Sequence, residues 1–152
     1  MNKQVWIEKA LGLGIQEFEI YQSTTVEKEM TWFQGQMDTL VSSKVTGTSI
    51  RGIVDGKMAN MALEETDDSM CETVLKSLIE QAHIISNEET DSLRKPEAIE
   101  YVKKDVTWNM ASTEYVKDIL QSLEAKILAY DPRVIQVGYL GYSQGSGSRS
   151  IV

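Results

Sequence analysis

The chain of 152 residues has the length of one ordinary domain, and its apolar fraction of 41% and charged fraction of 25% are those of a globular protein. A net charge of −8 and an isoelectric point near 4.7 argue against nucleic-acid binding, because Lys and Arg occur only singly or in pairs. Cys71 is the only cysteine, so no internal disulfide can form. Without a signal segment or an apolar run of ~20 residues, the sequence predicts a cytoplasmic protein that does not contact membranes.

The first half of the chain predicts a short helix over residues 5–13 and then an antiparallel meander. Apolar and polar residues alternate from Glu17, and β-favouring residues continue to Trp32. Gln34, Gly35 and Gln36 are typical of a turn. Asp55-Gly56 is the strongest hairpin signal, because both central residues of a type I′ turn need positive φ. About four strands are predicted: residues 17–32, a run that begins with Met37, Thr39 and Val41, residues 46–54 and residues 57–63.

The second half predicts two longer helices that pack against the sheet, one starting near Asp68 and one capped by Ser112. Their apolar positions are Met70, Val74, Leu75, Leu78, Ile79, Ala82 and Ile85 in the first, and Val116, Ile119, Leu120, Leu123, Ile127 and Leu128 in the second. Residues 86–105 are polar and predict a surface excursion with at most one short strand near Tyr101. A further strand is predicted over residues 134–142, followed by a flexible connector at residues 145–148.

These elements predict an α+β fold, with a twisted antiparallel sheet of four or more strands packed against two or three helices. Residues 1–152 are interpreted as one domain. The chain stops in the apolar pair Ile151-Val152, where a new strand pattern begins. Because natural termini are more often polar and frayed, we expect a truncation from a longer protein.

The residue types that usually perform catalysis do not combine into a site. His83 is the only histidine, and neither an HExxH nor a CxxC pattern occurs, so a structural or solvent-facing histidine is favoured over a zinc ligand. Cys71 at a helix start has no base in reach, because His83 is predicted about three turns away on the same helix. A packed apolar cysteine is the favoured interpretation.

Glycines, acids and tryptophans also favour structural roles. Neither GxGxxG nor a P-loop pattern is present, and Gly52 is typical of a bulge or of a close backbone approach. The acidic pairs Glu64-Glu65 and Asp67-Asp68 lack EF-hand spacing and are interpreted as solvated charges at a helix start. Core or interface packing is expected of the three tryptophans, Trp6, Trp32 and Trp108. The sequence therefore predicts no catalytic, cofactor-binding or metal-binding residue.

Three segments resemble the N-terminal domain of the TldD/PmbA family, whose members were once named modulators of DNA gyrase. They are residues 14–21, residues 32–39 and residues 45–57, and residues 129–137 are similar to a strand that precedes the central sheet of that family. The resemblance implies a two-domain protein that acts as a subunit of a zinc-metallopeptidase assembly on small modified peptides or partly unfolded polypeptides. The expected partner is a second copy or a TldD-like subunit.

The family's TldD branch carries its zinc in an HExxxH helix that would lie beyond residue 152, so zinc is expected only in a missing C-terminal domain or in the catalytic partner. The resemblance is nearer to the PmbA (TldE) branch, which lacks that motif. It implies a non-catalytic domain that helps to form a chamber or a dimer contact for proteolysis. The alternative is a stand-alone protein-interaction module that uses a sheet edge or the surface around Trp32 and Phe33, including the historical role on gyrase.

Overall fold

The computed structural model describes residues 1–86, 88–95 and 109–152, and within them it confirms the α+β fold. The helices are α1 (Lys3–Gly12), α2 (Cys71–Ile84) and α3 (Thr113–Leu128), with a 3-10 turn (Asp68–Met70) leading into α2. The strands are β1 (Glu17–Phe33), β2 (Gln36–Val54), β3 (Lys57–Leu63) and β4 (Leu140–Ile151). They form an antiparallel sheet in the order β3-β2-β1-β4. The strand predicted near Tyr101 and the third tryptophan, Trp108, lie outside the described residues.

Two tight turns connect the strands of the meander, one between β1 and β2 and one between β2 and β3. Gln34 and Gly35 have φ values of 48° and 78°, and Asp55 and Gly56 have values of 49° and 74°. Positive φ at both central residues is what a type I′ turn requires, and this turn matches the twist of the strands it joins. The hairpin predicted at Asp55-Gly56 is confirmed, with β2 and β3 paired from Val54↔Lys57 to Thr48↔Leu63.

The meander has three strands, and the prediction of four was wrong. A single strand, β2, replaces the two strands predicted after the first turn. Residues 42–45 read Ser-Ser-Lys-Val and contain no Gly, Pro, Asn or Asp that would end a strand. The fourth strand of the sheet is instead β4, which lies beside β1.

The position of β4 also corrects the sequence-based prediction. Only residues 140–142 of the predicted strand 134–142 are in β4, and the predicted connector at residues 145–148 lies inside it. Ile20 and Val152 exchange two backbone hydrogen bonds of 2.9 and 3.1 Å where β4 meets β1. Because strand pairing uses backbone groups, the small Gly and Ser residues can join the ladder once β1 is alongside.

The described residues fall into two compact units. Unit 1 comprises Met1–Thr24, Thr46–Tyr101 and Ser148–Val152, and unit 2 comprises Thr25–Val45 and Val102–Gly147. The core of unit 1 contains Trp6, Ala10, Ile15, Ile20, Ile50, Val54, Ala59, Cys71, Val74, Leu75, Leu78 and Ala82. The core of unit 2 contains Met30, Trp32, Val116 and Leu120, with Ala111, Leu140 and Tyr142 packed against it.

The helices follow much of their predicted apolar patterns, but Met70 of the first long pattern precedes α2 and is 40% exposed, and α3 departs from its pattern as well. Asn2 caps α1, and the pattern of α2 is buried at Val74, Leu75, Leu78 and Ala82. In α3 the predicted core residues Leu123 and Leu128 are exposed, and Glu124 is buried with Val116 and Leu120. The spacing of four residues from 116 to 120 to 124 places Glu124 on the core side of the helix.

Candidate functional site

An apolar groove of about 630 Å³ lies on the surface of unit 1. Its apolar lining comes from α1, β1, β4 and the segment that precedes residue 96: Ile7, Leu11, Phe18, Leu93, Ile151 and Val152. Leu11, Ile151 and Val152 are exposed, so this apolar surface faces solvent. Exposed apolar surface of this kind on a folded domain is typical of a place where another segment or molecule packs.

Charged residues border the groove, and several already have partners. Glu17 Oε2 accepts a hydrogen bond from the backbone N–H of Leu93. Glu19 forms a bidentate ion pair with Arg51, with N–O distances of 2.7 and 3.1 Å. The hydrogen bond to Glu19 raises the pKa of the Arg51 guanidinium. Arg94 and Lys95 add two cations to the border.

Backbone geometry adds a second property to the groove. The reciprocal pair between Ile20 and Val152 is where β4 meets β1. Residues 17–19 of β1 continue past that pair and line the groove. Glu17, Phe18 and Glu19 thus bring the first residues of β1 to the groove.

Unit 2 has a smaller cavity of about 430 Å³, lined by Gln34, Gly35, Glu124, Leu128, Ile135, Gln136 and Val137. Glu124 is 7% exposed and accepts from Trp32 Nε1 at 2.7 Å and from Gly35 N at 3.2 Å. Two N–H donors satisfy its carboxylate, which is what a buried acid needs. The arrangement anchors the first turn of the meander to α3.

The residues that the sequence singled out remain apart. His83 is exposed, and its Nε2 lies 3.5 Å from Asp55 Oδ2. Cys71 is fully buried in the core of unit 1, and burial raises the pKa of its thiol, which opposes thiolate formation. Both structural interpretations fit these positions. Within the described residues, no three His, Cys, Asp or Glu side chains are placed to hold a metal ion.

The acids before α2 are more than solvated charges. Asp68 Oδ1 accepts from the backbone N–H of Asn2 and from Trp6 Nε1, both at 2.8 Å. These two hydrogen bonds lower the pKa of Asp68. Asp67 caps the 3-10 turn by accepting from Ser69 N, which lowers its pKa as well. The sequence-based interpretation missed the link from Asp68 to α1, since residues 66 positions apart give no local signal.

Gly52 makes the close approach that its position predicted. A Cβ at this residue would lie 2.8 Å from Ile15 Cγ2 and 3.1 Å from Leu78 Cδ2. The absence of a side chain therefore lets Leu78 of α2 and Ile15, two residues before β1, pack directly against β2. No helix in the described part of the chain combines the length and apolar character needed to cross a bilayer.

The described residues thus form an α+β domain with an apolar groove open to solvent. Residues 18–86 match the family model described as PmbA/TldA metallopeptidase domain 1, and they include most of β1 and all of β2, β3 and α2. This match supports the resemblance to an N-terminal domain of the TldD/PmbA family. A search among curated proteins finds no match.

Solved structures show the same fold. The chain is similar over 99% of its length to a putative modulator of a DNA gyrase from Thermotoga maritima, at 17% identity and a TM-score of 0.74. It is similar over 97% of its length to TldE from Thermococcus kodakarensis, at 17% identity and a TM-score of 0.75. A putative modulator of DNA gyrase from Bacteroides thetaiotaomicron is similar over 99% of the chain, at 20% identity and a TM-score of 0.65. The chain spans 34%, 34% and 36% of these three proteins, respectively.

Proposed function

We propose that this chain is the non-catalytic first domain of a TldD/PmbA-like subunit in a cytoplasmic zinc-metallopeptidase complex. The match of residues 18–86 to a domain described as metallopeptidase domain 1 is the main support. The chain has one histidine, so it contains no HExxxH motif. Hydrolysis would depend on zinc held by another part of the protein or by a TldD-like partner, and the PmbA (TldE) branch remains our prediction.

The groove of unit 1 is the surface that we assign to this role. Its apolar lining includes the exposed side chain of Leu11. A peptide in the chamber, or a neighbouring subunit at a dimer contact, could pack against this apolar surface. Lys95 at the border of the groove favours a segment with acidic groups or a free carboxylate over a basic one.

A metal and activity assay tests the non-catalytic role. The purified chain, dialysed after exposure to zinc, should retain no stoichiometric metal and should not cleave unstructured peptides. One zinc per chain together with cleavage would contradict the proposal.

A second experiment tests the groove. Leu11→Lys and Ile151→Lys place charges on exposed lining residues, and Leu123→Lys is the matched control on an exposed residue of α3. Binding of a fluorescent unfolded polypeptide should weaken by about tenfold in the two groove variants, because each lysine charge would lose solvation. Equal affinities in all three variants would remove the groove from the proposal without affecting the metal result.

The second candidate function is a stand-alone interaction module. The sequence predicts that such a module would bind its partner through the surface around Trp32 and Phe33. Trp32 is buried, so only Phe33, which is 38% exposed, remains of that surface. Several other apolar residues of unit 2 are exposed, among them Ile135 and Tyr139. This candidate includes the gyrase role, which requires a complex with gyrase itself. If titration of gyrase with the chain at micromolar concentration gives no complex, the gyrase role is removed.

A further inference from the structure

The cavity of unit 2 has a carboxylate group in its wall. Its volume of about 430 Å³ falls within the ~300–1,000 Å³ of small-ligand sites. Gly35 and Glu124 both line it, and the backbone N–H of Gly35 donates a hydrogen bond of 3.2 Å to Oε1 of Glu124. The carboxylate therefore lies at the part of the wall that these two residues share, beside space for a small molecule or for one side chain.

Glu124 can accept further hydrogen bonds. Its two oxygens accept one N–H each, from Gly35 and from Trp32. Because a carboxylate offers about four lone-pair positions, about two remain for another donor. The side chain is only 7% exposed, so solvent screens its charge less than that of a surface acid. A cation that enters the cavity is therefore attracted more strongly than it would be by an exposed glutamate.

The end of α3 adds negative charge to the same cavity. The helix ends at Leu128, which lines the cavity one turn after Glu124. A helix C-terminus has about half a negative elementary charge and stabilises cations that lie near it. Glu124 is also the one charged side chain among the seven described residues of the lining. The electrostatic character of the cavity thus favours a cation over an anion.

The other side chains of the lining indicate which kind of cation fits. Three of them are aliphatic: Leu128, Ile135 and Val137. The side-chain amides of Gln34 and Gln136 supply two more oxygen acceptors. A primary ammonium group has three N–H donors, which match the carboxylate and the two amide oxygens. Methylene groups attached to it can lie along the aliphatic side chains, whereas a hydrated metal ion would gain nothing from them.

We propose that this cavity binds a primary ammonium group on an unbranched aliphatic chain, which is the chemistry of a lysine side chain or of a free alkylamine. The ammonium group pairs with the carboxylate of Glu124 and donates to the amide oxygens of Gln34 and Gln136, while the chain contacts the aliphatic side chains. The proposal does not depend on the peptidase role. For a ligand of this size, we expect a dissociation constant of about 1 mM.

Nuclear magnetic resonance of the indole N–H groups tests the proposal at neutral pH and constant ionic strength. The probe is n-butylamine, which reproduces the side chain of lysine. Because the Trp32 indole donates to Glu124, its resonance should shift, with half of the change at about 1 mM probe. The indole resonance of Trp6, which is bonded to Asp68 in unit 1, should not shift. The alcohol n-butanol has the same chain without the charge and should bind at least about tenfold more weakly.

Two peptides distinguish the sources of the ammonium group. A peptide with both ends blocked and a single lysine should bind about as well as n-butylamine if a lysine side chain is the occupant, and its acetyl-lysine form should not bind. Binding of n-butylamine without binding of the lysine peptide assigns the cavity to a free alkylamine.

Two variants of the lining and one control locate the binding. Glu124→Gln removes the charge but keeps an oxygen acceptor, and Ile135→Lys adds a cation at a residue that is 90% exposed. Each should weaken n-butylamine binding by about tenfold. Leu123→Lys adds the same charge to an exposed residue of α3 outside the lining and should leave the affinity unchanged. Circular dichroism checks that each variant folds, and the exposed position of Ile135 keeps the test decisive if Glu124→Gln does not.

Three results would overturn the proposal. The first is a Trp32 resonance that does not shift up to about 20 mM n-butylamine. The second is an equal affinity for n-butanol, which would mean that the charge is not recognised. The third is an equal affinity of n-butylamine for Ile135→Lys and Leu123→Lys, because the amine would then bind elsewhere.

Discussion

The indole N–H of Trp32 donates a hydrogen bond of 2.7 Å to Oε2 of Glu124, although the two residues are 92 positions apart. The other carboxylate oxygen accepts from the backbone N–H of Gly35. One buried side chain of α3 is therefore bonded both to the end of β1 and to the turn that follows. Among the described residues of unit 2, the buried core consists of Met30, Trp32, Val116 and Leu120, and the hydrogen bonds of Glu124 join this core to the turn.

Replacing the carboxylate should destabilise the protein. Glu124→Leu leaves the N–H groups of Trp32 and Gly35 without their acceptor, and each unsatisfied buried donor costs about 1–3 kcal/mol. Urea unfolding should show a loss of this order. Glu124→Gln keeps one oxygen acceptor and should lose less, and Gln121→Leu on the exposed side of α3 should change little. A Glu124→Leu variant as stable as the unmodified chain would contradict this role.

Two glycines of β2 should respond differently to alanine. Gly52→Ala puts a Cβ against Ile15 and Leu78, and overpacking of this kind costs about 1–3 kcal/mol. Gly47→Ala meets no atom within 4 Å, and alanine restricts the unfolded chain, so stability should stay level or rise by up to about 1 kcal/mol. Denaturant midpoints of the two variants provide the measurement. Equal effects at both positions would show that the close approach at Gly52 has no cost.

The loss of folding stability at low pH should depend on Asp68. Its hydrogen bonds from Asn2 and Trp6 lower its pKa, so the folded state holds the proton less tightly than the unfolded state. This stabilisation is present above the unfolded pKa and is lost as the pH falls through the folded pKa. Asp68→Asn keeps an acceptor but cannot titrate.

Thermal melts of the Asp68→Asn variant between about pH 5 and pH 2 measure the effect. The variant should be less stable than the unmodified chain at pH 5, and the difference should shrink towards pH 2. Asp118→Asn, at an exposed position of α3, is the control and should follow the unmodified chain. A constant difference across the range would mean that Asp68 does not contribute through its charge.

Cys71 should resist thiol reagents in the folded protein. It is fully buried, and burial raises the pKa of its thiol, so both access and thiolate formation are disfavoured. Labelling at pH 8 should be at least about a hundredfold slower in buffer than in concentrated urea. A Cys71→Ser variant carrying Ser122→Cys at an exposed position of α3 should label quickly in both conditions. Rapid labelling of native Cys71 would contradict its place in the core.

Local signals predicted much of the fold. The Asp55-Gly56 turn and the apolar pattern of α2 each depend on residues close in sequence, and both were predicted correctly. The length of β2 and the position of β4 depend on β1 as a partner. Pairing with β1 holds residues 145–148 in a strand, whereas their Gly and Ser composition alone favours a loop.

The candidate site was less visible from the sequence. The groove brings together residues of α1, β1, β4 and the segment 93–95, which only the fold places side by side. Glu124 did leave a signal, because it follows Val116 and Leu120 at intervals of four. The predicted core pattern of α3 considered only apolar residues and therefore left Glu124 out. For the same reason the hydrogen bonds that Asp68 accepts were not predicted.

Within the described residues, the indole N–H of Trp6 is bonded to Asp68 in unit 1, and the indole N–H of Trp32 is bonded to Glu124 in unit 2. Indole fluorescence changes in wavelength and intensity when such a bond is exchanged for water. Variants that keep only Trp6 or only Trp32, with the other two tryptophans replaced by Phe, therefore provide one optical reporter for each core. If the two fluorescence transitions coincide, the two cores unfold together in one cooperative transition. If the transitions are separate, each core has its own free energy of unfolding, which its reporter measures.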